Sequence, residues 1–146
     1  MRFRTKAPAF LDSLIEELKD KDIENRLLAL GLIRGLGTDL GKAAPELIPL
    51  LTDSDMRVRN SAISTLGSIK FPPAEVIEAL QKALNDKDYR TRIAAVNALR
   101  VIGKSEPERI TPILEQALSA ESYDPVKRLI TAALEELKNT SVATKP

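Results

Sequence analysis

The side chains best placed to do chemistry in this sequence are carboxylates and arginines that recur in register. Asp20 and Asp22 precede Arg26, Asp53 and Asp55 precede Arg59, and Asp86 and Asp88 precede Arg92, with the first Asp six residues before the Arg each time. Paired carboxylates could hold a magnesium or calcium ion, and an arginine's rigid fork of donors could pair with a carboxylate. The chain contains neither Cys nor His, which removes thiolate nucleophiles, thiolate metal sites and the commonest general base. Ser and Lys remain as nucleophiles, but no partner base accompanies them. Gly31, Gly35, Gly37 and Gly41 sit in and after a helical pattern, not in a loop that follows a strand, so a nucleotide cradle is disfavoured. Recurrence decides between these readings. A set that returns once per repeat serves something every repeat needs, and the expectation is capping and bracing: no catalytic residue, no cofactor and no metal.

The elements that carry these residues follow from the same periodicity. Thirty-three residues separate Arg26 from Arg59 and Arg59 from Arg92. A looser fourth copy places Lys127 in the Arg position and Glu121 in the first Asp position. Apolar residues follow each Arg at three, seven and ten positions: Ala29, Ile33 and Leu36, then Ala62, Leu66 and Ile69, then Ala95, Leu99 and Ile102. This spacing marks an amphipathic helix, and a second such pattern precedes every Asp pair. Prolines fall near the first-helix starts and Asp clusters before the second helices, where their oxygens can cap free N–H groups. The spacing predicts helices over 8–19, 22–36, 44–52, 55–70, 73–85, 88–103, 107–119 and 124–138, and no strand. One such pair cannot bury its apolar stripe alone, whereas stacked pairs can.

Composition sets the bounds. The 146 residues carry 22 Lys and Arg against 21 Asp and Glu, are 43% hydrophobic, and include three Phe, two Tyr and no Trp. This suits one domain with a sizeable core. No apolar run approaches the ~20 residues of a membrane-spanning helix, and a cytoplasmic location is expected. The expected layout is a basic arm over 1–7, repeats over 8–37, 43–70, 73–103 and 107–138, and a flexible tail over 139–146.

The Asp-x-Asp-x-x-x-Arg pattern at Asp20/Arg26, Asp53/Arg59 and Asp86/Arg92, with Pro45 ahead of Asp53, resembles the HEAT repeat. It is especially similar to the short HEAT-like repeats named after phycobilisome lyases. The resemblance spans about residues 8–138 and departs at Glu121 and Lys127, and at Asp12 and Glu78 where a first-helix proline would stand. It implies an all-α, right-handed α-solenoid of four helical-hairpin repeats, about eight helices, with second helices on the concave side. It also implies a protein-binding role, and as one alternative a subunit handling bilin attachment or removal.

Two residue sets are singled out. Asp20, Arg26, Asp53, Arg59, Asp86 and Arg92 are expected to form a structural ladder, with Asp53 paired to Arg59 or to Arg26 or Arg92 of a neighbouring repeat. The first Asp of each pair is expected to cap the second helix. Taking Leu66 as inward, residues at 100° steps place Arg57, Ser64 and Ser68 on the opposite side. Their counterparts are Glu24, Gly31 and Gly35, then Arg90, Asn97 and Val101, then Pro125, Ala132 and Glu136. The candidate partner-binding residues are Arg34, Arg57, Ser64, Arg90, Asn97, Arg100 and Val101, on a surface whose small side chains admit another backbone. Arg34, Arg57, Arg90, Arg100 and Lys104 add positive character, but nearly balanced charge and few aromatics disfavour nucleic acid. Leu27, Leu28 and Leu129 lie on helix flanks that end repeats would leave uncovered, which points to a homo-oligomer through those ends. The partner protein itself is not readable.

Overall fold

The protein is described here by a computed structural model, which covers residues 6–37 and 40–143. Among those residues lie eight α-helices and no strand: α1 (Lys6–Glu17), α2 (Ile23–Leu36), α3 (Leu40–Leu47), α4 (Met56–Gly67), α5 (Ala74–Ala83), α6 (Tyr89–Gly103), α7 (Pro107–Ala120) and α8 (Asp124–Ala143). They form four successive hairpins. The second helices pack on one another in the order α2, α4, α6, α8, while first helices of neighbouring repeats touch far less. A row packed tightly on one side and splayed on the other is curved, so the second helices line its inner side. The result is an all-α solenoid.

One core runs the length of the stack. Leu14, Leu47, Leu80 and Leu114 enter it from the first helices, and Ile33, Leu66, Leu99 and Leu134 from the second. Each comes from the same position of its repeat, so stacking joins four apolar stripes that no hairpin could bury alone.

The elements differ from the sequence expectation in three places. The first helix of repeat two begins at Leu40 and ends at Leu47, and a 3-10 segment spans Ile48–Thr52 instead of a helix over 44–52. Pro49 accounts for the break: it has no N–H to donate and its ring crowds the carbonyl four residues back. α4 ends at Gly67, and Phe71 takes a left-handed φ of 53° ahead of Pro72. α8 continues to Ala143, through Asn139, where a flexible tail was expected to begin. Residues 1–5 of the expected basic arm and 144–146 of the tail lie outside the described residues, and Lys6 already belongs to α1.

The turn within each hairpin divides its work between the two aspartates. Oδ1 of Asp20, Asp53 and Asp86 accepts the backbone N–H of Asp22, Asp55 and Asp88 at 2.7, 2.9 and 2.8 Å. The second Asp is the one that caps the helix: Asp22, Asp55 and Asp88 accept from the N–H groups of Glu24, Arg57 and Arg90. Capping therefore falls to the second Asp and not to the first, because the second stands immediately ahead of the first helical residue, in extended backbone.

Candidate functional site

The first Asp has a second task. Arg26 places Nε 3.1 Å from Asp53 Oδ2 and donates from Nη2 to Oδ1 at 3.2 Å. Arg59 places Nε 3.4 Å from Asp86 Oδ2. Neither Nε–H is aligned for a hydrogen bond, so these contacts act through charge. Arg92 does better with a longer carboxylate: Nε and Nη2 donate to Glu121 Oε2 and Oε1 at 2.8 and 3.1 Å. Each Nη1 turns back to its own turn, to the carbonyls of Asp20, Asp53 and Asp86 at 2.8, 2.9 and 2.9 Å. Arg26, Arg59 and Arg92 thus each tie their own turn to the carboxylate of the next repeat, and the Asp53 carboxylate pairs with Arg26 instead of Arg59. Burial raises the Glu121 carboxyl, but hydrogen bonds from Arg92, Tyr123 N–H and Ser122 N–H outweigh it and hold the group below its ordinary value.

This bracing sets the spacing of α2, α4, α6 and α8, and so shapes the inner surface. Between α4 and α6 lies an open depression of about 420 Å³, lined by residues that include Ser64, Ser68, Arg90, Ile93, Asn97 and Val101. Its floor is where the two helices approach most closely: a Cβ added at Gly67 would stand 2.7 Å from Ala98 Cβ. Four of the seven candidate binding residues, Ser64, Arg90, Asn97 and Val101, meet around this depression.

The other three stand apart from it. Arg57 is exposed, donates to Glu24 Oε1 at 3.1 Å and brackets its own cap, Asp55. Arg100 is half-buried and pairs with Glu136 at 2.9 Å, which Lys104 also reaches at 3.3 Å. Arg34 is exposed near the end of α2. Arg90, at the rim, is held by Asp88 at 2.9 Å and lies 5.9 Å from the centre of the Tyr89 ring. Hydrogen bonds from the Arg57 and Arg90 side chains hold the Asp55 and Asp88 carboxyls below their ordinary value, and those from Arg100 and Lys104 lower Glu136. Arg57, Arg90, Arg100 and Lys104 thus each meet a carboxylate, the last two sharing Glu136.

Sequence reasoning missed two contributors. Tyr89 and Tyr123 meet across repeats in a tilted contact with ring centres 4.9 Å apart, and Gly67 sets the close approach of α4 to α6. Both depend on neighbours far along the chain, though the single small residue at Gly67 was visible. No cluster of metal-ligating side chains occurs among the described residues, and no helix there is long and apolar enough to cross a membrane.

Comparison with known proteins places this architecture. A family model for HEAT repeats matches residues 11–74 and 69–135. No curated protein matches the sequence. Among solved structures, the CpcE–CpcF complex of phycocyanin lyase from Nostoc sp. PCC7120 aligns at 22% identity over 89% of each chain, with a TM-score of 0.65. A designed armadillo repeat protein in complex with the peptide (KR)4 aligns at 23% identity and a TM-score of 0.61, over 88% of this chain and 64% of that one. An engineered protein aligns at 23% and 0.59, and there too this chain spans only 64% of the other's length. At these identities the likeness is one of fold.

Proposed function

The chain belongs to the HEAT-repeat family, and on that premise we propose that it is a non-catalytic module that binds a partner protein along its concave surface. The observation that carries this reading is the depression between α4 and α6. It offers hydroxyl and amide groups at Ser64, Ser68 and Asn97 beside apolar surface at Ile93 and Val101. Small side chains at its centre let a partner's backbone come close, and the polar groups can satisfy that backbone where apolar contacts hold its side chains. Matched charges argue for a segment of low net charge over a nucleic-acid strand, since Arg57, Arg90, Arg100 and Lys104 already have carboxylate partners.

Affinity capture with the wild-type chain and with an Asn97→Arg/Ser64→Arg variant tests this. Both positions border the depression without entering the core, so the variant keeps its fold. A protein retained by the wild type, lost by the variant and then bound directly in titration supports the reading. Retention by both directs attention away from this surface.

A second reading, a subunit of a chromophore-handling complex, draws on the full-length likeness to the phycocyanin lyase subunits. Mixing the chain with a free bilin and following visible absorbance separates the two, because only this second role shifts the spectrum.

A further inference from the structure

Four repeats allow each position to be compared with its counterparts. Leu32 of α2 corresponds to Thr65, Ala98 and Ala133, and Phe10 of α1 to Ala43, Val76 and Ile110. In repeats two to four every one of these is buried, yet Leu32 is 42% exposed and Phe10 49%. Leu28 is 62% exposed, while its counterparts Ser61, Ala94 and Leu129 are half-buried. What covers these positions is the preceding repeat: Ala98 lies against Gly67 of α4. The first repeat therefore presents, along α1 and α2, an apolar face of the kind that repeats use to stack. Gly31 and Gly35 lie beside the two leucines, with open space where a Cβ would stand.

The opposite end is built differently. Leu30, Ile63 and Val96 are fully buried, and their counterpart on α8 is Thr131, which is exposed. Thr131 shares its surface with Asp124, Lys127, Arg128 and Glu135. That end has the polar outer face of a terminal repeat.

We propose that the apolar face of α1 and α2 is covered by a second copy of the chain, joined head to head about a two-fold axis. The asymmetry of the ends selects this arrangement. Stacking head to tail would press Leu28, Leu32 and Phe10 onto Arg128, Thr131 and Glu135, burying charges without partners. The apolar end matches only itself, and a self-matching patch closes as an isologous pair instead of growing into a filament. The 14 residues of α2 span about 21 Å, and two helices side by side are ~20 Å wide. Two such faces would bury on the order of 1,000 Å² in total, which fits a reversible dimer that dissociates at micromolar concentration.

Sedimentation velocity from about 1 µM to about 500 µM, a range that brackets micromolar dissociation, tests the proposal. The wild type is expected to pass from monomer to dimer. Leu28→Glu/Leu32→Glu should raise the dissociation constant at least tenfold with unchanged helicity and, at concentrations where both proteins are monomers, an unchanged melting temperature, because both residues then face solvent. Thr131→Glu should leave the dimer intact. Since the chain has no Cys, a Gly31→Cys variant is also expected to form a disulfide-linked dimer on mild oxidation. A monomer across the whole range would overturn the proposal. So would a dimer that survives both glutamates, or assemblies that grow beyond two copies.

Discussion

Arg59 and Asp86 stand 3.4 Å apart, Nε to Oδ2, although they belong to consecutive repeats, and the same guanidinium donates to the carbonyl of Asp53 at 2.9 Å. One side chain thus joins two turns. Its side chain is only 8% exposed, and that of Asp86 16%. Removing it strands a largely buried carboxylate and frees a carbonyl. Arg59→Ala should lower unfolding free energy by about 3–5 kcal/mol, as for other buried pairs broken from one side. Arg57→Ala removes only pairs made by an exposed guanidinium and should cost far less. Urea denaturation of both variants checks the difference, and equal small losses would remove the ladder from the account of stability.

Gly67→Ala should destabilise despite the better helix propensity of Ala. The new methyl would sit 2.7 Å from Ala98 Cβ and 2.9 Å from its Cα, so α4 and α6 must separate. A loss of about 1–3 kcal/mol is expected for such overpacking. Ala98→Gly in the same chain removes the Cβ contact but leaves the Cα one, so a double-mutant cycle should show partial recovery.

Thr91 is fully buried and its hydroxyl has no hydrogen-bond partner. Its counterparts in repeats two and four are Val58 and Val126, both fully buried. Thr91→Val keeps the shape and removes an unsatisfied polar group, so it should raise stability by about 1 kcal/mol. A lower melting temperature in thermal unfolding would contradict this expectation.

Stability should depend on pH in one direction only. With no His and no Cys in the chain, no side chain titrates ordinarily between pH 5 and 8, so the melting temperature should be flat there. Asp55 and Asp88 sit below an ordinary value of 3.8, and Glu121 and Glu136 below 4.5. A depressed carboxyl stabilises the fold fully above its unfolded value and loses that contribution as pH falls through the folded value. The melting temperature should therefore drop only below about pH 4.5, as those groups take up protons. A fall beginning near neutrality would contradict the assignment.

The solenoid was legible because its cause is periodic. The thirty-three-residue return of Arg26, Arg59 and Arg92 carries the hairpin, its cap and its apolar stripe together. What escaped depended on three dimensions. The sequence could not assign work between Asp53 and Asp55, since both precede the helix and only its exact first residue, Met56, decides which of them caps it. Leu28 was readable as an end residue, yet Leu27 and Leu129, grouped with it, pack partly against the core. The candidate binding set came from one helical angle. It gathered Ser64, Arg90, Asn97 and Val101 around one depression, but angle alone does not reveal that Arg57 and Arg100 are tied down by Glu24 and Glu136.

The ties between turns all point the same way, each arginine reaching forward to the acid of its successor. Polarity of this sort makes the hairpin an interchangeable cassette. A whole copy duplicated between Asp53 and Asp86 would find a donor behind it and an acceptor ahead, whereas an insertion lacking its own acid and arginine would leave a hook without an eye. Arrays of this type can therefore lengthen by unequal duplication and stay in register at every joint.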